Sequence, residues 1–415
     1  MVRDRPDEAA ERILALEEKV GELERRLNLN STNSSKPPSS DGLNKPAPRS
    51  LREKTGRKPG GQPGHRGHSL KQVEKPDHTQ THGLETCTCG RCGGVSLKDA
   101  PAQYGPHFCA LMLYHSNQQL LPFDRLLQLS RDLFGQSLSA ATLAAINARA
   151  NKALAPVEEA IIKAITQSPA VHADESGLRV AGKLHWLHVA STKLLTYFGV
   201  HGNRGVEAMN ALGVVPHCLG WLIHDFWKPY LKYQALHALR NQRLLRELKF
   251  LFEQRGELWA GKLSRFPLDW KGDPRARDGL EEDAFRQAHA QYRRIAREGR
   301  RNHPRRQPSH GRARQEKAAC LLDRLEDYDL CVLAFLIDPN VPFANNQGEQ
   351  GIRMVKVKQK ISGCFRTLDG ARCFARIRGC LSTCRKQGLT LWDACFQAAI
   401  GSPFMPTLPK SGQTT

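Results

Sequence analysis

Near residue 170 the spacing of apolar residues changes, and this change limits the folds open to the chain. From Tyr104 to about Gln167 they recur at helical spacing; from "AVHADESGLRV" onward they follow a strand-like pattern. "KLHWLHVAST" and "LLTYFGV" read as two further strands, "NRGVEAMNALGV" as a helix, and "GWLIHDFW" as a buried strand ending at Asp225. Three strands, a helix and another strand make an α/β layout. Asp174 and Glu175 interrupt the first strand, although strands disfavour Asp and an unpaired buried carboxylate is costly. If the first and fourth strands are neighbours, Asp174 and Asp225 approach each other and repel unless a cation lies between them. Hard oxygen ligands suit Mg²⁺ or Mn²⁺, and a pair of such ions suits phosphoryl transfer. A third acid is then wanted on a helix beside the sheet, and Glu349 in "NNQGEQGIR" is the best placed, with Asn345 and Asn346 at an expected helix start. With 41 acids in the chain, spacing alone leaves other triples open. His224 stands next to Asp225 and either orients the site or, since adjacent strand residues face opposite ways, belongs to the core.

The charge narrows the partner. Lys and Arg number 62 against 41 acids, a formal net charge of +21 over 415 residues, which points to a polyanion and favours nucleic acid. No apolar run approaches the ~18 residues of a membrane span, and "MVRDRPDEAAER" is not a signal peptide. Twelve cysteines scattered through a long chain fit reduced thiols, so a cytoplasmic location is expected. Cys373, Cys380 and Cys384, in helical sequence with basic flanks, read as buried small apolar residues.

The N-terminal half divides by composition. In 1–29, Ile13, Leu16, Val20, Leu23 and Leu27 form an a/d seam that either pairs two copies of the helix or docks on its own protein. In 30–76 the chain is rich in Asn, Ser, Pro and Gly; residues 28–75 hold ten Lys/Arg against three acids. This basic arm cannot bury a core, and Arg57, Lys58 and Arg66 are candidate phosphate contacts. In 77–100, Cys87, Cys89 and Cys92 with His82 are the candidate ligands of a Zn²⁺ knuckle; the alternative is a thiol-rich turn. The helical region 101–167 contains a helix, Gly135, and Ser139 as N-cap of another helix, a pattern shared by helix-turn-helix units and plain helical hairpins. Toward the C-terminus, 293–317 carries ten Lys/Arg and two acids, a density suited to phosphate binding.

Along most of its length the chain resembles the insertion-sequence-66 family of bacterial DDE transposases, through "SSKPPSSDG", "GRKPGGQPGHRG", "QYGP", "HADESGLRV" with "LHWLHVAST", "HDFWKPY", "HALRNQRLLREL" and "NNQGEQGIRMVKVKQKISGCFR" in that order. The resemblance implies an RNase H-like catalytic core over 168–400, with a helical insertion at about 232–338 between the second and third acids, and a tail over 401–415. It carries the catalytic, metal-holding acids onto Asp174, Asp225 and Glu349 and makes Glu175 a neighbour. It implies metal-dependent cutting of DNA at the ends of a mobile element and joining of those ends to target DNA. Arg353, Lys356, Lys358 and Lys360 become candidate phosphate contacts near Glu349. A homodimer or larger oligomer on DNA, association with the nucleoid and small accessory proteins are further expectations.

Three departures from the family pattern stand out. Arg240 and Arg243 occupy the positions of a Cys-x-x-His element, Gln350 replaces an arginine after Glu349, and the zinc-binding region is shortened. All three acids remain. The competing expectations are therefore an end-binding copy impaired in catalysis, and an RNase H-like nuclease indifferent to element ends.

Overall fold

The computed structural model describes residues 6–27, 104–276, 278–305, 316–343 and 346–407. It divides into two compact units, Met1–Cys109 and Ala110–Thr415. In the first, helix α1 (Pro6–Leu27) leaves Leu16, Val20 and Leu23 of the seam exposed. The basic arm with Arg57, Lys58 and Arg66, and the cluster Cys87, Cys89, Cys92 and His82, lie outside the described residues.

The second unit is built on one five-stranded sheet: β1 (Ala170–Val180), β2 (Lys183–Ser191), β3 (Thr196–His201), β4 (Trp221–His224) and β5 (Leu236–Leu239), in the order β3-β2-β1-β4-β5. β1–β2 and β2–β3 are antiparallel, whereas β1–β4 and β4–β5 are parallel. The β1–β2 hairpin turns on Ala181 and Gly182, both at positive φ (49° and 78°), the backbone that a two-residue turn between right-twisted strands requires. The expected strands, and the adjacency of the first and fourth, are present. β5 is a strand the sequence reading did not place: it falls inside the segment of about 232–338 expected as a helical insertion.

Before the sheet come α2 (Pro106–Leu113), α3 (Phe123–Phe134), α4 (Ala140–Ala153) and α5 (Ala155–Thr166). Gly135 ends α3 in the left-handed region, and the Ser139 hydroxyl caps α4 by accepting from Thr142 N at 3.0 Å, as the sequence indicated. The inner face of α4 buries Leu143, Ile146 and Ala150. Its outward face presents Ala141, Ala144, Ala145, Ala148 and Arg149.

Between β3 and β4 lies α6 (Val206–Leu212). After β5 come α7 (Asn241–Arg255), α8 (Leu258–Gly272), α9 (Glu282–Asn302), α10 (Lys317–Asp327), α11 (Asp329–Val332) and α12 (Ala334–Ile337), which close around Leu248, Trp259, Phe266, Tyr292 and Leu322 and reach Ile223 and Ala238 of the sheet. Part of the basic stretch is consumed here. Arg293 is paired with Asp329 (2.6 Å), Arg300 with Asp323 (2.7 Å) and Glu326 (2.8 Å), and Arg305 with Asp323 (3.0 Å) and Asp327 (2.5 Å). Those guanidinium groups join helices of the insertion; residues 306–315 lie outside the described residues.

The last three helices, α13 (Asn346–Ser362), α14 (Leu368–Lys386) and α15 (Leu391–Ala399), complete the unit. Val355, Ala371, Phe374 and Ala375 from α13 and α14 pack on Leu178, Leu187, Val189, Phe198 and Val200 of the sheet. α14 carries the three cysteines read as apolar residues: Cys380 and Cys384 are buried, and Cys373 is half-buried. The buried amine of Lys386 donates to Ser191 Oγ, Thr192 O and Leu195 O, closing the β2–β3 turn. Burial pushes its pKa down to about 7.

The entry to β4 admits no side chain at residue 220. A Cβ on Gly220 would lie 2.4 Å from Pro169 O and 2.5 Å from Ser168 O, both backbone atoms just ahead of β1. We therefore expect Gly220→Ala to destabilise the fold by about 2 kcal/mol or more, since relief requires the two chain segments to part. Urea denaturation checks this; an unchanged midpoint would show that β4 can shift freely against β1.

Candidate active site: an acid pair spanned by arginine

The site follows from strand register. His172 of β1 is paired with Ile223 of β4, and two residues further along each chain stand Asp174 and Asp225. His224 of β4 is paired with Leu239 of β5, and one residue further stand Asp225 and Arg240. Three neighbouring parallel strands thus bring two carboxylates and a guanidinium to one end of the sheet. The site lies just past the carboxyl ends of β4 and β5 and beside the middle of β1, which runs on to Val180; open α/β sheets form their clefts outside such strand ends.

All four carboxylate oxygens of the pair accept hydrogen bonds. Arg240 Nη1 donates to Asp174 Oδ2 at 3.1 Å and to Asp225 Oδ1 at 3.0 Å, Arg243 Nη1 donates to Asp225 Oδ2 at 3.0 Å, and Glu175 N donates to Asp174 Oδ1 at 2.9 Å. The Arg240 side chain is 8% exposed, that of Arg243 56%. A short helical turn sets their spacing: the Arg243 amide donates to Arg240 O at 3.2 Å at the start of α7. Burial pushes the Asp174 pKa up to about 6; Arg240 opposes that rise, and the neighbouring charges of Asp225 and Glu175 add to it.

Glu175 has its own partners. Arg204 donates to Glu175 Oε1 through Nε at 2.9 Å and through Nη2 at 2.5 Å, and the Tyr230 hydroxyl donates to Oε2 at 2.7 Å. The Arg204 guanidinium also lies over the rings of Trp186 (4.9 Å) and Trp227 (4.1 Å). Tyr230 is buried and stacks on His224 at 4.7 Å. His224 is wholly buried; its Nδ1 lies 2.5 Å from Asp225 O and its Nε2 3.0 Å from His237 Nδ1. Burial pushes its pKa down to about 4, so it is a neutral core histidine that supports the strand end beneath Asp225.

For Glu349 the structure describes the backbone alone, in the first turn of α13. The helix lies against β1 further along: Lys356 Nζ and Gln359 Nε2 donate to Gly177 O at 3.0 and 3.3 Å. The Lys358 ammonium sits over the Phe374 ring at 5.8 Å. Of the four basic residues singled out on α13, Lys356 and Lys358 thus spend their amines within the protein, whereas Arg353 and Lys360 are exposed. Among the described residues no group of three or more His, Cys, Asp or Glu is arranged to hold a metal.

The donor chemistry of the pair nevertheless fits a cation. Two hard carboxylates converge on one point, and a positively charged nitrogen occupies it. Sequence reasoning singled out both acids and both arginines but did not join them. It missed Arg204 and Tyr230 as partners of Glu175, although Tyr230 closes the quoted "HDFWKPY".

The family model for IS66 transposases matches residues 101–373, and the chain belongs to that family. A second model, described as a family of unknown function (DUF6444), matches residues 5–71. No curated protein matches the chain.

Asp174 gives the site a pH signature. A carboxyl that holds its proton up to about pH 6 when folded, against an ordinary 3.8, stabilises the fold below pH 4 and loses that contribution as pH rises through 6. The loss is about 1–3 kcal/mol. Asp174→Asn cannot ionise, so its unfolding free energy should exceed that of wild type at pH 7.5, with the gap closing toward pH 4. Urea titrations at several pH values check this; parallel pH profiles would place the proton elsewhere.

Proposed function

We propose that the chain is a DDE-type transposase, cutting the ends of a bacterial mobile element and joining them to target DNA by metal-dependent phosphoryl transfer at Asp174, Asp225 and Glu349. The observation that carries this reading is the convergence of Asp174, within β1, and Asp225, just past the end of the adjacent parallel strand β4, on a single cationic atom. The order β3-β2-β1-β4-β5, antiparallel on one side and parallel on the other, supports an RNase H-like core. The helices between Asp225 and Glu349 support the inserted domain.

The roles of the chain's own residues follow. Asp174 and Asp225 hold the divalent cation, Mg²⁺ or Mn²⁺, with Glu349 as third acid. Such ions, when bound, supply Lewis-acid polarisation of the scissile phosphodiester and activate the attacking hydroxyl. Tyr230 and Arg204, by holding Glu175, fix the strand that presents Asp174. DNA is the partner the +21 charge favours, with Arg353, Lys360 and the basic arm as backbone contacts. The exposed seam of α1 supports self-association. No helix among the described residues is long and apolar enough to cross a membrane. A zinc site at Cys87, Cys89, Cys92 and His82 remains a proposal from sequence.

One observation favours a second reading. Arg240 and Arg243 already satisfy the carboxylates, as a copy retained for binding element ends without cutting them would allow.

End-labelled DNA carrying the terminal repeats tests the first reading, with millimolar Mn²⁺ and a shuffled-end control. Wild type should cut at the element boundary. Asp174→Ala or Asp225→Ala should lower the rate by about a thousandfold or more, the loss of several kcal/mol of charge stabilisation. Binding without cutting would favour the second reading, and equal cutting of shuffled DNA would indicate a nuclease.

A further inference from the structure

The acid pair carries its own cation. Arg240 Nη1 lies 3.1 Å from Asp174 Oδ2 and 3.0 Å from Asp225 Oδ1, so one nitrogen stands where the two carboxylates converge. The residue is fixed at both ends of its peptide unit: its N–H donates to His224 O at 3.3 Å, and its carbonyl accepts from Arg243 N at 3.2 Å. Its side chain is 8% exposed. Arg243 takes Asp225 Oδ2 at 3.0 Å and also approaches Glu247 at 3.6 Å.

Charge makes the consequence definite. Arg240 already places a positive charge between the two carboxylates. A divalent ion added at that point would meet the Arg240 charge at close range, and it would find each carboxylate oxygen engaged. Arg240 is the group that must move, because its nitrogen occupies the point both acids face. Arg243 is half in solvent and can turn away at little cost.

We infer that Arg240 is a tethered counter-cation that competes with divalent metal for the Asp174–Asp225 pair, so that the chain loads metal only as the Arg240 side chain withdraws. The inference rests on the proposed role of that pair as the metal site. It adds that residue 240 sets how readily the site is filled.

The test uses the full chain without DNA, with Mn²⁺ alone as the probe and free Mn²⁺ followed by electron paramagnetic resonance. Arg240→Gln removes the charge and keeps an N–H donor; it should tighten Mn²⁺ binding by about tenfold or more over wild type. Arg240→Lys keeps a cation and should stay near wild type. Asp174→Asn placed in the Arg240→Gln background should abolish the gain. Thermal melting gives a second readout that also reports folding: Mn²⁺ should raise the melting temperature of Arg240→Gln more than that of wild type. Equal Mn²⁺ affinity in wild type and Arg240→Gln would overturn the inference, as would a gain that survives Asp174→Asn. Failure of boundary cleavage by chains that do bind Mn²⁺ would instead count against the transposase reading, and the two failures are separable.

Discussion

Everything at the candidate site depends on the parallel pairing of β1 with β4. β4 has four residues and no hairpin partner next to it in sequence, so β1 must be in place to receive it. Their register sets Asp174 level with Asp225, and the β4–β5 register sets Arg240 beside both. Helix α14 holds the antiparallel side of the same sheet: its Thr383 hydroxyl accepts from Thr196 N at 3.0 Å, and Gly379 allows its backbone to approach Thr196 closely. The insertion braces the other side through Ile223 and Ala238. The parallel side of the sheet is long-range in sequence and its strands β4 and β5 are short, so helices from separate parts of the chain hold it in place.

Adjacent residues on β1 do different work. Asp174 turns to the end of the sheet and meets Arg240, while Glu175 meets Arg204 and Tyr230. Each carboxylate that the strand buries is matched with a guanidinium, as desolvation of a charge requires. Arg204 in turn rests on two tryptophan faces, so Glu175 is held by side chains that are themselves confined. That stiffness fits a positioning role for Glu175, whereas Asp174 shares its guanidinium partner with Asp225.

Much of this was legible in the sequence, for physical reasons that also explain the gaps. The alternation from Ala170 onward and the apolar run before Asp225 are strand signals strong enough to place both acids. Gly135 and Ser139 gave the turn between α3 and α4, since stop and cap residues act locally. "LHAL" was lost because four apolar-rich residues leading into a good helical sequence carry no period of their own; its strand state comes from β4 beside it. The same omission hid the meaning of Arg240, which stood out only as a departure from a family pattern. Its partners lie 66 and 15 residues away, and no local signal connects them. The ion pairs of α9 were hidden in the same way, because the acids that take up Arg293 and Arg300 are on the helices after it.

Arg240 and Arg243 stand where the family pattern has cysteine and histidine, and both replacements are within reach of a single base transition from some arginine codons. Residue 240 is held by its backbone hydrogen bonds with His224 and Arg243, and its side chain meets Asp174 and Asp225. On the roles proposed for these residues, changes at positions 240 and 243 would exchange an acid pair engaged by guanidinium groups for one that is open to other partners.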